Sequence, residues 1–194
     1  KLVQDLDYSV TYLSNKNVGT AKVVICGKGV YTNSLTKTFT IRPETMASAV
    51  ITGCKAKYSY TGKQVKPLIQ VVWNGKILRN NTDYTLLYKN NKKRGSAGIV
   101  VTGKGNYSGT LTASFTIVRA SVKKASVTGL KAVYARTGKA VKPKVTVKLG
   151  GKKLKKKRDY ILSYRKNKKK GTALLYVKGV GNYSGTKKMK FKIR

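Results

Sequence analysis

Histidine is absent from this sequence and acidic residues are scarce, with five aspartates and glutamates among 194 residues against 43 lysines and arginines. Catalytic triads and most zinc sites need histidine, and general acid–base pairs need two neighbouring carboxyl groups. A calcium site needs six or more oxygen ligands, several of them carboxylates. No part of the chain holds more than two acids close together. The composition therefore predicts a chain that has no catalytic activity of its own and needs no metal or cofactor.

Long apolar runs are absent as well. No stretch approaches the roughly 20 apolar residues of a transmembrane helix, and no signal peptide begins the chain. We therefore expect no transmembrane segment in these residues.

What the sequence does contain is a repeat of 76 residues without gaps. Residues 105–110, Gly-Asn-Tyr-Ser-Gly-Thr, recur as residues 181–186, and an Asp-Tyr pair recurs at 7–8, 83–84 and 159–160. A fixed period of this length is typical of small modules in tandem. The register predicts the downstream half of a truncated repeat at 1–42, followed by full repeats at 43–118 and 119–194.

The ends of the sequence lie differently within this register. Lys1 falls in the middle of a repeat, which indicates a fragment of a longer protein whose enzymatic activity, if any, would map upstream. Residues 191–193 close the last repeat as residues 115–117 close the one before, so Arg194 is expected to be a natural terminus.

Each repeat is predicted to form strands and not helices. Short runs of Val, Ile, Thr and Tyr alternate with polar residues and end at Gly or Asn. In the strand after the proline, Ile69, Val71 and Trp73 stay apolar in the last repeat, whereas their neighbours become polar there, so the first set points inward. Six or seven such strands, with turn signals every 8–12 residues or so, predict an all-β chain of small antiparallel sandwiches.

Seven aromatic residues at repeat-matched positions are predicted to belong to the structural core: Trp73, Tyr84, Tyr88, Tyr107, Tyr160, Tyr164 and Tyr183. Tyr107 and Tyr183 could instead be stacking platforms for bases or sugars, but their place after a tight turn favours a packed ring with a bonded hydroxyl. The truncated repeat would expose the matching apolar face unless upstream residues, a swapped strand or a second copy cover it. That face comprises Tyr8, Val10, Tyr12, Val23 and Ile25.

The recurring motifs resemble those of bacterial immunoglobulin-like repeats. They are Tyr-x-Gly-Lys at 60–63, Lys-Pro at 66–67, Asn-Gly-Lys at 74–76, Asp-Tyr at 83–84 and Gly-Lys-Gly-Asn-Tyr at 103–107. The resemblance covers both full repeats and the downstream half in 1–42. It departs at Arg136, where the other full copy has Tyr60, and at 30–33, where a turn glycine is lost. It implies immunoglobulin-like sandwiches in a secreted, cell-surface or cell-wall protein of a Gram-positive bacterium, as a stalk or attachment region behind a catalytic or adhesive domain.

Asp83 and Asp159 keep their position while other acids disappear. One reading is a proton-shuttling acid for a lysine–asparagine isopeptide bond, with Asn91 or Asn167 as the amide partner. The other is a turn cap that accepts backbone N–H bonds before a strand. The second reading is favoured, because nothing in the sequence brings a lysine and the acid together.

Cys26 and Cys54 do not belong to the repeat pattern, since the next copy has Thr102 and Leu130 in their places. They have no metal-ligand spacing. In a secreted chain they invite a disulfide, which requires Cα atoms within about 7 Å. The sequence leaves this pairing open.

Positive charge is concentrated towards one end of the chain. The net charge is +4 for residues 1–42, +9 for 43–118 and +25 for 119–194. Such charge repels itself and costs stability, whereas solubility needs only a modest net charge. The gradient therefore predicts an anionic partner for the last repeat.

Two basic segments of the last repeat are the candidate polyanion-binding residues. The first comprises Lys152, Lys153, Lys155, Lys156, Lys157 and Arg158, and the second comprises Arg165, Lys166, Lys168, Lys169 and Lys170. Both are predicted to be loops. Lysine suits such a site because it acts as a flexible point charge.

Three functions compete for this charged array. A passive stalk, or an accessory region of a secreted wall-associated enzyme, does not explain the gradient. Nucleic-acid binding is permitted by the charge, but no nucleic-acid motif is present. Attachment to anionic cell-envelope polymers such as teichoic acid explains it, and host glycans or surface proteins are alternative partners. We expect a non-catalytic adhesion or attachment array.

Overall fold

The computed structural model describes all 194 residues, and almost all of its regular structure is short β-strand. The exception is a single 3₁₀ turn at Val122–Lys124. No helix of the chain is long and apolar enough to cross a membrane. The all-β fold class predicted from the sequence is confirmed.

The density of internal contacts divides the chain into two compact units. One comprises residues 1–54, 67–89 and 98–113, and the other comprises 55–66, 90–97 and 114–194. The repeat boundaries at 42/43 and 118/119 come from the sequence register and stay a prediction.

Residues 1–42 form one antiparallel sheet with the strand order β1 (Tyr8–Leu13), β2 (Gly19–Gly27) and β3 (Ser34–Ile41). Ile25 of β2 lies opposite Val10 on one side and Leu35 on the other. The face that carries them is the counterpart of the buried face in the last repeat. Here Tyr12 is 57% exposed, and Tyr8, Val10, Val23 and Ile25 are half-buried.

Residues 43–118 contain nine strands: β4 (Glu44–Thr45), β5 (Val50–Thr52), β6 (Lys57–Ser59), β7 (Gln70–Trp73), β8 (Lys76–Leu78), β9 (Tyr84–Lys89), β10 (Gly95–Gly103), β11 (Tyr107–Ser108) and β12 (Thr110–Val118). They pair as β5-β7-β8, as β6-β12-β10-β9 and as a short parallel pair of β4 with β11. The turn between β7 and β8 has positive φ at both Asn74 and Gly75, as the predicted two-residue hairpin requires.

Residues 119–194 contain a matching set: β13 (Ala120–Ser121), β14 (Ser126–Thr128), β15 (Val133–Tyr134), β16 (Thr146–Leu149), β17 (Lys152–Lys153), β18 (Tyr160–Arg165), β19 (Gly171–Gly179), β20 (Tyr183–Ser184) and β21 (Thr186–Ile193). The sheets are β14-β16-β17, β15-β21-β19-β18 and the parallel pair of β13 with β20. The chain enters in the first sheet at β14 and then joins the second at β15, which runs parallel to β21. The result is an immunoglobulin-like sandwich.

The core of the last repeat lies between its two sheets. Val147 of β16, Leu175 of β19 and Phe191 of β21 belong to one buried cluster, and all three are at most 2% exposed. Alternation places these residues inward, since Lys190 and Lys192 on either side of Phe191 are exposed. The inward assignment of Val71 in the preceding repeat is confirmed in the same way, because it is fully buried while Leu68 is 94% exposed.

The seven aromatic residues predicted for the core lie at or near buried positions. Tyr84, Tyr107, Tyr160 and Tyr183 are at most 8% exposed, and burial raises the pKa of Tyr84, Tyr160 and Tyr183. The other three are half-buried and donate hydrogen bonds to backbone carbonyls. Tyr88 and Tyr164 bond Pro67 and Pro143 at 2.6 and 2.7 Å, and Trp73 bonds Thr45 at 3.0 Å.

Tyr60 contacts the last repeat across the predicted repeat boundary. Its ring meets Tyr183 edge-on, with centroids 5.7 Å apart, and Lys152 Nζ lies 5.8 Å from its centroid. In the preceding repeat the partner of Tyr107, the counterpart of Tyr183, is Trp73 of the same repeat at 5.4 Å. The last repeat has the smaller Leu149 in place of Trp73. Tyr60 thus supplies from outside the aromatic contact that Leu149 cannot make.

Candidate polyanion-binding surface

The carboxylate of Asp159, the only acid of the last repeat, is hydrogen-bonded within its own turn. Asp159 is 4% exposed and accepts hydrogen bonds from the backbone N–H of Lys155 at 2.8 Å and from the guanidinium of Arg158 at 2.9 Å. The guanidinium, aided by that N–H, holds the pKa of the Asp159 carboxyl below its usual value, against the effect of burial. Asp159 therefore caps the 155–159 turn and offers no charge to the surface.

Asp83 occupies the same position in the preceding repeat. Burial alone would raise the pKa of its carboxyl, but hydrogen bonds from the backbone N–H and side chain of Arg79 outweigh burial and lower it. The side-chain amides of Asn91 and Asn167 donate to the carbonyls of Val65 and Val141. These contacts fit the turn-cap reading of the aspartates, since neither amide donates to the carboxylate of its repeat.

Replacing Asp159 with asparagine should lower the stability of the last repeat at neutral pH by about 1–3 kcal/mol, because a buried charge-assisted bond is lost. A carboxyl whose folded-state pKa is depressed contributes stability above its unfolded pKa and loses that contribution as pH falls through the folded pKa. The wild-type chain should therefore lose stability from about pH 4 downwards more steeply than Asp159→Asn. Urea unfolding at several pH values measures this, with the exposed Glu44→Gln as the control. Parallel pH profiles for wild type and Asp159→Asn would contradict the cap.

The first basic segment is partly strand and partly turn. Lys152 and Lys153 form β17, and Lys155–Arg158 form the turn before β18. The prediction of one loop is therefore corrected, because Lys152 and Lys153 pair with Leu149 and Lys148 of β16. Lys152 lies over Tyr60 and Arg158 is bound to Asp159. The remaining four lysines, Lys153, Lys155, Lys156 and Lys157, are exposed.

The second basic segment also begins on a strand. Arg165 is the last residue of β18, so its assignment to a loop is corrected, and its guanidinium lies 5.7 Å from the ring centroid of Tyr176. Lys166, Lys168, Lys169 and Lys170 are exposed in the turn between β18 and β19. A shallow cleft of about 510 Å³ is lined by residues 166–172. We call residues 155–158 and 166–170 the two basic turns.

Each basic turn holds one lysine in a left-handed backbone conformation, with φ of 69° at Lys157 and 57° at Lys166. The preceding repeat has Asn81 and Asn90 at the same two places, with φ of 68° and 53°. Asparagine tolerates positive φ, whereas the longer L-residues pay a steric cost. The last repeat therefore carries lysine at two positions whose backbone conformation suits asparagine better.

The double substitution Lys157→Asn and Lys166→Asn should stabilise the chain by on the order of 1 kcal/mol, because asparagine suits both backbone conformations. It should also weaken binding to an anionic polymer. Thermal unfolding and a binding titration on the same sample measure the two effects. Lys156→Asn with Lys168→Asn, two exposed lysines at positions without positive φ, removes equal charge as the control. If Lys157→Asn with Lys166→Asn stabilises the chain no more than this control does, the two lysines are not strained.

A third basic surface escaped the sequence prediction. On β21 the outward residues are Lys188, Lys190 and Lys192, where the preceding repeat has Thr112, Ser114 and Thr116. The neighbouring strand adds Lys178 in place of Thr102. These lysines are separated by inward residues and never form a run, so a search for consecutive charges misses them. Comparison of the copies at alternate positions would have found them.

The two cysteines are not bonded to each other in the structure. Cys26 is exposed on β2 and Cys54 is half-buried just beyond β5. Alternation along β2 places Cys26 on the face opposite to that of Ile25. The suggested disulfide is not formed. No group of three or more histidine, cysteine or acidic residues lies close enough to hold a metal ion.

No protein-family model matches the chain, and no curated protein matches it. Among solved structures, "Protocadherin gammaB7 EC3-6 cis-dimer structure" aligns with 90% of this chain at 11% identity and a TM-score of 0.21. The alignment covers 57% of that structure's chain, so this chain spans a little over half of its length. A likeness this weak has no bearing on the function of this chain.

Proposed function

We propose that the chain is a non-catalytic attachment array of bacterial immunoglobulin-like repeats, from a secreted or surface protein of a Gram-positive bacterium. Its last repeat binds anionic cell-envelope polymer, of which teichoic acid is the type, by its basic surface. The repeats before it act as a spacer between this surface and the rest of the protein.

The observation that carries the proposal is uncompensated charge. Residues 119–194 hold 26 basic residues and one acid, and that acid is buried and bound to Arg158. No carboxylate of the repeat is therefore left to neutralise its exposed lysines. Self-repulsion on this scale opposes the compact state, and an external polyanion relieves it.

The two strained lysines support the same conclusion independently. Lys157 and Lys166 occupy left-handed positions that asparagine occupies in the preceding repeat. A surface that served solubility alone would not need charge at these two positions. Mutations that favour a binding surface at the expense of stability are a common feature of functional sites.

Sedimentation with purified cell walls tests the proposal. The full chain should bind walls that carry teichoic acid and lose most of that binding after the polymer is extracted. Added salt should release the bound chain. Binding that survives both extraction and high salt would contradict the proposal, and tighter binding to DNA than to walls at physiological salt would replace it with the nucleic-acid alternative.

A further inference from the structure

We propose that the outer face of the sheet β15-β21-β19-β18 is a flat binding surface for a linear polymer. The polymer is a glycosylated polyol phosphate, and it lies along β21. We define this basic sheet face by its outward basic and aromatic residues: Arg165, Tyr176, Lys178, Lys188, Lys190 and Lys192. The inference rests on the proposed function and deepens it, because it places most of the polymer contacts on a sheet face and fewer on the two basic turns.

The geometry of β21 provides an even row of charge. Lys188, Lys190 and Lys192 are exposed, and the residues between them point into the core. Alternate residues of a strand on one face are about 6.8 Å apart. A regular row of three cations along one strand suits a linear polymer that carries phosphates at regular intervals.

The neighbouring strands complete the surface. By register, Tyr176 of β19 lies opposite Lys188, and Leu174 lies between Lys190 and Arg165. Lys178 lies opposite Thr186 at the start of β21. The surface is therefore a patch of five cations around one aromatic ring. The lone acid of this repeat, Asp159, is bound to Arg158 and does not neutralise it.

The fold itself does not require these residues. The same face carries Thr112, Ser114 and Thr116 in the preceding repeat and Thr36, Thr38 and Thr40 in residues 1–42. The β-branched threonines suit a strand better than lysine does. The last repeat has therefore exchanged strand-forming residues for charge along a whole strand.

Tyr176 indicates what lies between the phosphates. It replaces Val100 of the preceding repeat, it is half-buried, and the guanidinium of Arg165 lies 5.7 Å from its ring centroid. Phosphate offers nothing to a ring face, whereas the apolar face of a sugar packs against it. Proteins that bind single-stranded nucleic acid stack successive bases on several aromatic rings, and this face has one. A sugar substituent on a phosphate polymer fits this composition better than a row of bases.

A pair of matched variants of the full chain tests the inference. The face variant Lys188→Thr, Lys190→Ser and Lys192→Thr restores the residues of the preceding repeat. The turn variant Lys156→Asn, Lys157→Asn and Lys166→Asn does the same in the two basic turns and removes the same three charges. The probe is polyglycerol phosphate of defined length, with and without glycosyl substituents, titrated at several salt concentrations.

The face variant should bind the polymer with a salt dependence of log K that is shallower by about 2 units, as expected when three phosphate contacts of a flexible strand are lost. In the turn variant, the salt dependence of log K should become shallower by less than half as much. Tyr176→Val should abolish the preference for the glycosylated polymer and leave the salt slope unchanged, whereas Tyr176→Phe should retain the preference. Circular dichroism and thermal unfolding check the fold of each variant.

The outcomes separate this inference from the function on which it rests. If the turn variant loses binding and the face variant does not, the basic sheet face is not the site, while the attachment function stands. If the unchanged chain does not bind the polymer, both fail. Equal affinity for glycosylated and bare polymer in the unchanged chain, or tighter binding of single-stranded DNA with the same number of phosphates, would overturn the assignment of the ligand.

Discussion

Replacing Phe191 with alanine should destabilise the last repeat by about 3–5 kcal/mol, the usual cost of removing a buried phenylalanine side chain. Phe191 is 2% exposed, lies opposite Ala173 on β19, and meets the ring of Tyr134 edge-on at 5.4 Å. A small alanine neighbour and a rigid aromatic partner leave few side chains that can move into the cavity. Since small domains are stable by only about 5–15 kcal/mol, this loss should be visible as a large drop in the urea midpoint.

The control lies one residue away on the same strand. Lys190→Ser changes an exposed outward residue to that of the preceding repeat and should alter the free energy of unfolding by less than about 0.5 kcal/mol. A Phe191→Ala cost below about 1 kcal/mol, or a Lys190→Ser cost as large as that of Phe191→Ala, would show that the two faces of β21 have been assigned wrongly.

The second large effect concerns salt. Raising the salt concentration from 50 to 200 mM should weaken binding of the full chain to a flexible phosphate polymer by about a hundredfold or more, because the five cations of the basic sheet face contact phosphates. Each contact releases a condensed counterion from the polymer, so log K falls linearly with log salt. Titrations followed by calorimetry or by the fluorescence of a labelled polymer measure the slope of log K against log salt. A neutral polyol polymer is the control. A slope near zero would mean that the exposed lysines do not carry the binding.

The core of the repeats could be predicted from the sequence because it is a periodic pattern present in more than one copy. Val71 and Val147 keep their apolar character while their neighbours change, and both are fully buried. Tyr88 and Tyr164 likewise keep their place and bond matching proline carbonyls. Repetition separates residues that hold the fold from those that are free to vary.

The candidate site was predicted less well, because consecutive charge in a sequence is a poor guide to a surface in space. Arg158 belongs to the predicted segment, yet its guanidinium is bound to Asp159. Lys190 belongs to no run of charge, yet it stands in a row on the outer face of β21. The contact between Tyr60 and Tyr183 could not be predicted either, because it joins two repeats that the 76-residue register treats as separate.

The most direct test of polymer binding by the last repeat compares two six-fold variants of the full chain with equal net charge. The first returns six lysines of the last repeat to the residues of the preceding one: Lys156→Asn, Lys157→Asn, Lys166→Asn, Lys188→Thr, Lys190→Ser and Lys192→Thr. The second replaces six exposed lysines of the earlier repeats with glutamine: Lys16, Lys22, Lys37, Lys63, Lys92 and Lys93.

The measurement is binding to walls that carry teichoic acid at physiological salt. We expect the first variant to lose most of its binding and the second to stay within a few-fold of the unchanged chain. Equal losses of binding in the two variants would contradict binding by the last repeat, because binding would then depend on the total charge of the chain and not on that surface.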